Sequence, residues 1–170
     1  MDVATQGQVD LVIGFLNSVD VEAGTDALDR GSDYAAWCRA RGQRPGNRGA
    51  ARILRDGLRA MLMGAPAVFP GTPIPVAPAP DGGVTLAPAD LVQSVLAAVT
   101  TITLAGDWSR IKLCPADDCL EAFYDRSRNR SRVWCDMADC GNLAKVRGYR
   151  ARTRHITISM ETVGDRRAHA

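Results

Sequence analysis

No run in this chain approaches the roughly 18 consecutive apolar residues that a membrane-crossing helix requires, so no membrane partner is expected. Its first eight residues, MDVATQGQ, lack the basic and apolar regions of a secretory signal, which makes the cytoplasm the expected compartment. Histidine is nearly missing: only His155 and His169 occur, both near the C-terminal end, where surface positions are expected. There is no Ser-His-Asp pattern, phosphate-binding glycine loop or dinucleotide fingerprint, which leans the reading away from an enzyme. Cys38 stands alone beside Trp37 on an apolar stretch and reads as a small core residue.

The other four cysteines are grouped. Cys114 and Cys119 (CPADDC) and Cys135 and Cys140 (CDMADC) form two C-x4-C pairs separated by fifteen residues. Two short pairs held apart by a strand-sized segment can supply four thiolates to one tetrahedral Zn2+, so one structural zinc per chain is expected. Two disulfides are the alternative, disfavoured by the expected reducing compartment. Pro115 and the carboxylates Asp117, Asp118, Asp136 and Asp139 suit tight, solvated turns.

Charge follows the cysteines. The net charge is only +2, yet residues 1–109 hold 8 Lys and Arg against 11 Asp and Glu, while residues 110–170 hold 13 against 8. Arg126, Arg128, Arg130, Arg132, Lys145, Arg147, Arg150, Arg152 and Arg154 are accompanied in their stretch only by Asp136 and Asp139. A solvated basic face would account for such a run by itself; beside a zinc module it is the electrostatic footprint of a phosphate-binding surface.

The expected fold is α+β: a mainly helical N-terminal domain with a β-hairpin over 1–109, a small treble-clef-like zinc finger over 110–155, and a mobile tail over 156–170. Val9, Val12, Ile13, Leu16 and Val19 fall at helical spacing over residues 8–20, with Gly14 a local weakness. Ser32 is expected to cap a short helix that turns Trp37 and Cys38 inward and stops at Gly42. Asn47 is expected to cap a third helix running to about Met63, burying Leu54, Leu58, Met61 and Leu62 with Arg48, Arg52, Arg55 and Arg59 largely opposite. The Pro- and Gly-rich stretch 64–87 reads as a linker or an irregular hairpin turning at Asp81-Gly82. Pro88 then opens a helix with Leu91, Val95, Val99 and Ile102 at core spacing, ended by Gly106. In the finger, LEAFY and SRVWC alternate as two strands, and Asn142 can cap a helix LAKVRGYRARTR whose N-terminus favours thiolate.

SRNRSRVWC, the second C-x4-C with Cys-Gly-Asn after it, and AKVRGYRAR make residues 113–152 resemble the CGNR zinc finger family. More loosely, IGFLNSVD, YAAWCRARG and ILRDGLRAML within residues 11–63 are similar to the ABATE domain usually joined to that finger. The resemblance implies a bacterial, stress-linked transcription regulator whose finger binds DNA and whose N-terminal domain senses a small ligand. Two positions depart from the pattern: Leu143 stands where the family's naming arginine would, and Gly14 where it has an acidic residue.

A DNA-binding regulator with duplex DNA as partner is therefore the leading expectation, its arginines meeting phosphate and available to read guanine. The alternative is a small-molecule enzyme or ligand-binding protein with the finger as scaffold, using Asn17, Trp37, Arg55 and Arg59 around a small acid. A protein-interaction finger is a third reading.

Overall fold

The computed structural model describes residues 3–150. Helix α1 (Val3–Leu16) starts earlier than its apolar spacing suggested and stops sooner. Val9, Val12, Phe15 and Leu16 are buried in the core. Each such burial contributes about 1.5–3 kcal/mol, so the roughly 1 kcal/mol that a mid-helix Gly14 costs is easily outweighed. Val19 and Asp20, expected inside the helix, instead form strand β1 (Val19–Asp20), paired antiparallel with β2 (Thr25–Asp26). The turn competes successfully because its aspartates cap it: Asp20 Oδ1 accepts from the Ala23 N–H at 2.9 Å, and Asp26 Oδ1 from the Leu28 N–H at 2.8 Å.

Helix α2 (Gly31–Ala40) is not capped by Ser32. Arg30 occupies the cap position without a side-chain cap bond, its guanidinium pairing with Asp33, and the Ser32 hydroxyl donates to Asp33 instead. Tyr34 and Cys38, one turn apart, point inward; Trp37 is half-buried, edge-on to Phe15 with ring centres 6.4 Å apart. Helix α3 (Arg48–Leu62) carries the expected cap, the Asn47 side chain accepting from the Ala50 N–H at 2.9 Å. Its arginine row divides. Arg55 and Arg59 are buried with Leu54 and Leu58, whereas Ile53 is exposed, so those two guanidinium groups do not form the expected solvent face.

Residues 64–75 run back over α3. A Cβ on Gly57 would meet the Val68 carbonyl oxygen at 2.5 Å, so only glycine admits that close approach. Strands β3 (Val76–Pro78) and β4 (Val84–Leu86) pair antiparallel around a turn containing Gly82 at φ +85°, as the Asp81-Gly82 signal predicts. Helix α4 (Leu91–Leu104) begins three residues after Pro88 because Asp90 caps it, accepting from the Gln93 N–H at 3.0 Å. Gly106, at φ +74°, lies just past its end.

A short 3-10 turn, Trp108–Arg110, leads into β5 (Ile111–Leu113), which pairs antiparallel with β6 (Ala122–Tyr124) in the register Ile111↔Tyr124 and Leu113↔Ala122. Among the described residues SRVWC forms no strand, so the expected pairing of LEAFY with SRVWC is replaced by a pairing across the first cysteine knuckle. Residues 140–150 form a final helix, α5.

The core is shared across the chain. Val9, Val12 and Phe15 of α1, Leu54 and Leu58 of α3, and Val95 and Ile102 of α4 join Ile111 of β5 and Ala122 of β6 in one apolar cluster. The compositional boundary at 109/110 thus does not interrupt the packing. Helices α1 and α3 lie against β6 and β5, and the first cysteine pair sits at the end of that hairpin.

A four-cysteine metal centre and its basic surroundings

Strand β5 delivers Cys114 and strand β6 returns from Cys119, so the CPADDC loop is the turn of a hairpin. It is closed by the Cys114 N–H donating to Glu121 O at 2.8 Å, and tightened by the N–H groups of Cys119 and Leu120 donating to Ala116 O at 3.0 and 3.1 Å. The second pair needs a different support, because its flank is irregular. Asp125 supplies one end: fully buried, it accepts from Lys112 Nζ at 2.7 Å, the Ser127 N–H at 2.8 Å and the Arg132 N–H at 2.9 Å. Burial alone would push this carboxyl up, yet Lys112 and the Ser127 and Arg132 donors reverse that and hold it far below the usual carboxylate range.

Arg132 supplies the other end. Its guanidinium lies 5.0 Å from the Phe123 ring centre and donates to Trp134 O at 2.8 Å and to Cys135 O, fixing the approach to the second knuckle. Within that knuckle the Ala138 N–H donates to Asp136 Oδ1 at 2.6 Å and the Gly141 N–H to Asp136 O at 2.9 Å, and α5 begins at Cys140. Gly141 is buried; a Cβ there would press on Met137 Sδ at 3.1 Å and Trp134 Cδ1 at 3.3 Å.

The four sulfur atoms all lie within 4.8 Å of one another, with Cys119–Cys135 at 3.6 Å and Cys135–Cys140 at 3.7 Å. A tetrahedron with Zn–S bonds of about 2.3 Å has edges of about 3.8 Å, so the spacing suits one ion. All four thiols are free, which sets aside the disulfide alternative among these residues. Burial together with the neighbouring thiols raises Cys135, and burial raises Cys140 to about 11; at Cys114 burial acts the same way but is outweighed by the N–H groups of Cys135 and Ala116, and that thiol is lowered. A dication offsets the burial and crowding that raise Cys135 and Cys140. The donor set fits one structural zinc, and four thiolates leave no position open for a reacting water.

The basic residues around this centre fall into two groups. Arg126, Arg128, Lys145, Arg147 and Arg150 are exposed. Of these, Arg126 donates to Gln6 Oε1 of α1 at 3.3 Å, and Arg147 pairs with Asp118 of the first knuckle at 3.1 Å with both side chains 63% exposed. Arg130 is exposed too, although it donates to Ser109 Oγ at 2.7 Å, whereas the half-buried Arg132 braces the second knuckle. Arg152, Arg154, His155, His169 and the expected tail lie outside the described residues. Leu143, in the first turn of α5, is 49% exposed.

The four residues expected around a small acid are spent on the fold. Arg55 makes two bonds to the Asp26 carboxylate, at 2.6 and 2.9 Å, and one to Asp56 at 3.0 Å. Arg59 donates to Leu16 O at 2.9 Å and to Leu120 O at 3.0 Å. Asn17 is bonded to the backbone of Ala122, and Trp37 stacks under the Arg41 guanidinium at 4.1 Å. Sequence reasoning passed over Lys112 and Asp125, which build the loop between the cysteine pairs. The one available signal was the Asp-x-Ser order of Asp125 and Ser127, an aspartate turn.

No curated protein matches this chain. Residues 110–153, which carry the cysteine cluster, the loop braced by Asp125 and helix α5, match the CGNR zinc finger.

Proposed function

We propose that the finger binds duplex DNA and that the protein acts in the cytoplasm as a transcription regulator. The observation that supports this most directly is the exposed set Arg126, Arg128, Lys145, Arg147 and Arg150, carried by a loop and a helix that the four-cysteine centre fixes in place. Exposed guanidinium and ammonium groups on a rigid frame suit phosphate, because their position is set before binding and little side-chain support must be created afterwards. Arg152 and Arg154 would extend the same basic run. Arg130, exposed on the same loop, belongs to this surface, whereas Arg132, counted as a contact from charge alone, shapes it in this reading. Helix α5 presents Leu143 and Val146 beside Arg147 and Arg150, and phosphate contacts from the arginines dominate.

The test is a salt titration of duplex binding by the zinc-loaded protein. Affinity is expected to fall steeply as salt rises, and replacing both Arg147 and Arg150 with Ala is expected to reduce the slope by up to about two. Absence of binding even at low salt would overturn the reading.

A further inference from the structure

Helix α5, residues 140–150, is held to the finger along one narrow side. Gly141 is buried beside Met137 and Trp134, and Ala144 and Gly148 are half-buried. Successive helical residues turn by about 100°, so positions 141, 144 and 148 share that side, while 143, 146 and 150 stand together on the opposite one. The outer side is mixed in character. Leu143 is exposed there at 49% and Val146 at 40%, and the exposed Arg150 makes no side-chain bond among the described residues. Arg147 stands nearer the first knuckle, where it pairs with Asp118. From Gly141 to Arg154 the sequence holds no Asp or Glu, so the helix carries charge of one sign only.

Phosphate alone gives Leu143 and Val146 no role. Two apolar side chains one turn apart on the outer side of a basic helix gain only by leaving water against another apolar group. On the base edges of duplex DNA that group is the 5-methyl of thymine, which lies in the major groove, whereas the minor-groove edges present nitrogen and oxygen atoms. The dimensions agree. The major groove is about 12 Å wide and an α-helix with its side chains about 10–12 Å across, so a helix fastened along one side can enter with the opposite side leading. Leu143 to Arg150 covers about 10 Å of helix axis, or about three base-pair steps. We propose that α5 lies in the major groove and that Leu143 and Val146 select thymine there by contact with its 5-methyl group. This inference rests on the DNA-binding reading above, and adds to it the element and the base that create sequence preference.

The zinc-loaded full-length protein is used to select duplexes from a random-sequence library, and the selected duplex is remade with deoxyuridine in place of thymidine, which removes the methyl group alone. Enrichment of thymine within a short stretch is the expected result. Loss of each contacted methyl should weaken binding about fourfold, the effect of exposing one buried methyl group. Leu143→Ala combined with Val146→Ala should bind the thymine and uracil duplexes equally, yet keep the wild-type salt slope, because neither side chain meets phosphate. Both side chains are exposed, so the double variant should retain its zinc and its melting temperature. Three outcomes would each overturn this inference while leaving DNA binding in place: duplexes retained without sequence enrichment, equal affinity of the wild type for the thymine and uracil duplexes, or a thymine preference that survives in the double variant. Retention of no duplex even at low salt would overturn the DNA-binding reading, and this inference with it.

Discussion

The side chain of Asn17 treats the backbone of Ala122 as a neighbouring strand would: its Oδ1 accepts the Ala122 N–H at 2.7 Å and its Nδ2 donates to the Ala122 carbonyl at 2.9 Å. Two residues before Ala122, the Leu120 carbonyl accepts from Arg59, whose other bond holds the end of α1 at Leu16. The N-terminal helices are thereby fastened to the strand that leaves the first cysteine knuckle. Asn17→Ala leaves both groups of Ala122 without that partner and is expected to destabilise the protein by about 2 kcal/mol in urea unfolding. Asn17→Asp retains an acceptor for the N–H but offers no donor to the carbonyl when ionised, so it should recover only part of the loss at neutral pH.

Loss of the metal should spread along the same route. Metal analysis is expected to return one zinc per chain, and Cys135→Ser to abolish tight binding, because it removes a ligand with no substitute nearby. In hydrogen exchange, protection should fall most in residues 112–143 and less, yet measurably, at the ends of α1 and α3 that touch Ala122 and Leu120. Changes confined entirely to residues 110–150 would show that the shared core does not transmit the loss.

Asp26 offers a pH test remote from the metal. Burial pushes its carboxyl up, but the Arg55 hydrogen bonds, the Leu28 N–H and the charges of Arg55 and Arg52 together outweigh burial and hold it below its ordinary value. Its stabilising contribution is therefore complete above the unfolded value of about 3.9 and disappears as pH falls through the lower folded value. Asp26→Asn leaves the buried Arg55 with Asp56 as its remaining carboxylate partner and should cost about 3 kcal/mol at neutral pH. The gap between variant and wild type should narrow as pH falls below about 4. Zinc release in acid affects both proteins alike, so the difference between their unfolding curves isolates the carboxylate. A gap independent of pH would mean that the ion pair's charge is not what stabilises it.

Local signals were readable where one short segment decides the structure. Asn47 caps α3, Asp81-Gly82 turns the β3–β4 hairpin, and the spacing of the four cysteines brings their sulfurs together. Pairing across distance was not. Strand β5 is only three residues long and carries little alternation, so its pairing with β6 depends on the closed first knuckle. Arg55 and Arg59 look like surface residues by periodicity, and their burial is intelligible only once Asp26 and the carbonyls of Leu16 and Leu120 are placed beside them. The same holds for Arg132, whose charge resembles that of its exposed neighbours while its role is set by Trp134 and Cys135.

That contrast separates two arginines four residues apart. Arg128 is exposed at the tip of the 125–132 loop, whereas Arg132 reaches back to the carbonyls that position the second knuckle. If Arg128 meets phosphate, Arg128→Ala should reduce the slope of log affinity against log salt by about 0.9 and leave zinc retention unchanged. Arg132→Ala should instead speed zinc loss to a chelator, since the Trp134 and Cys135 carbonyls lose their brace and the Phe123 ring loses its stacked cation. Under zinc excess, which restores the knuckle by mass action, the salt slope of Arg132→Ala should return to the wild-type value. A slope that stays lowered in zinc-saturated Arg132→Ala would make this guanidinium a direct phosphate contact and place the DNA-facing surface closer to the metal than the exposed loop arginines suggest.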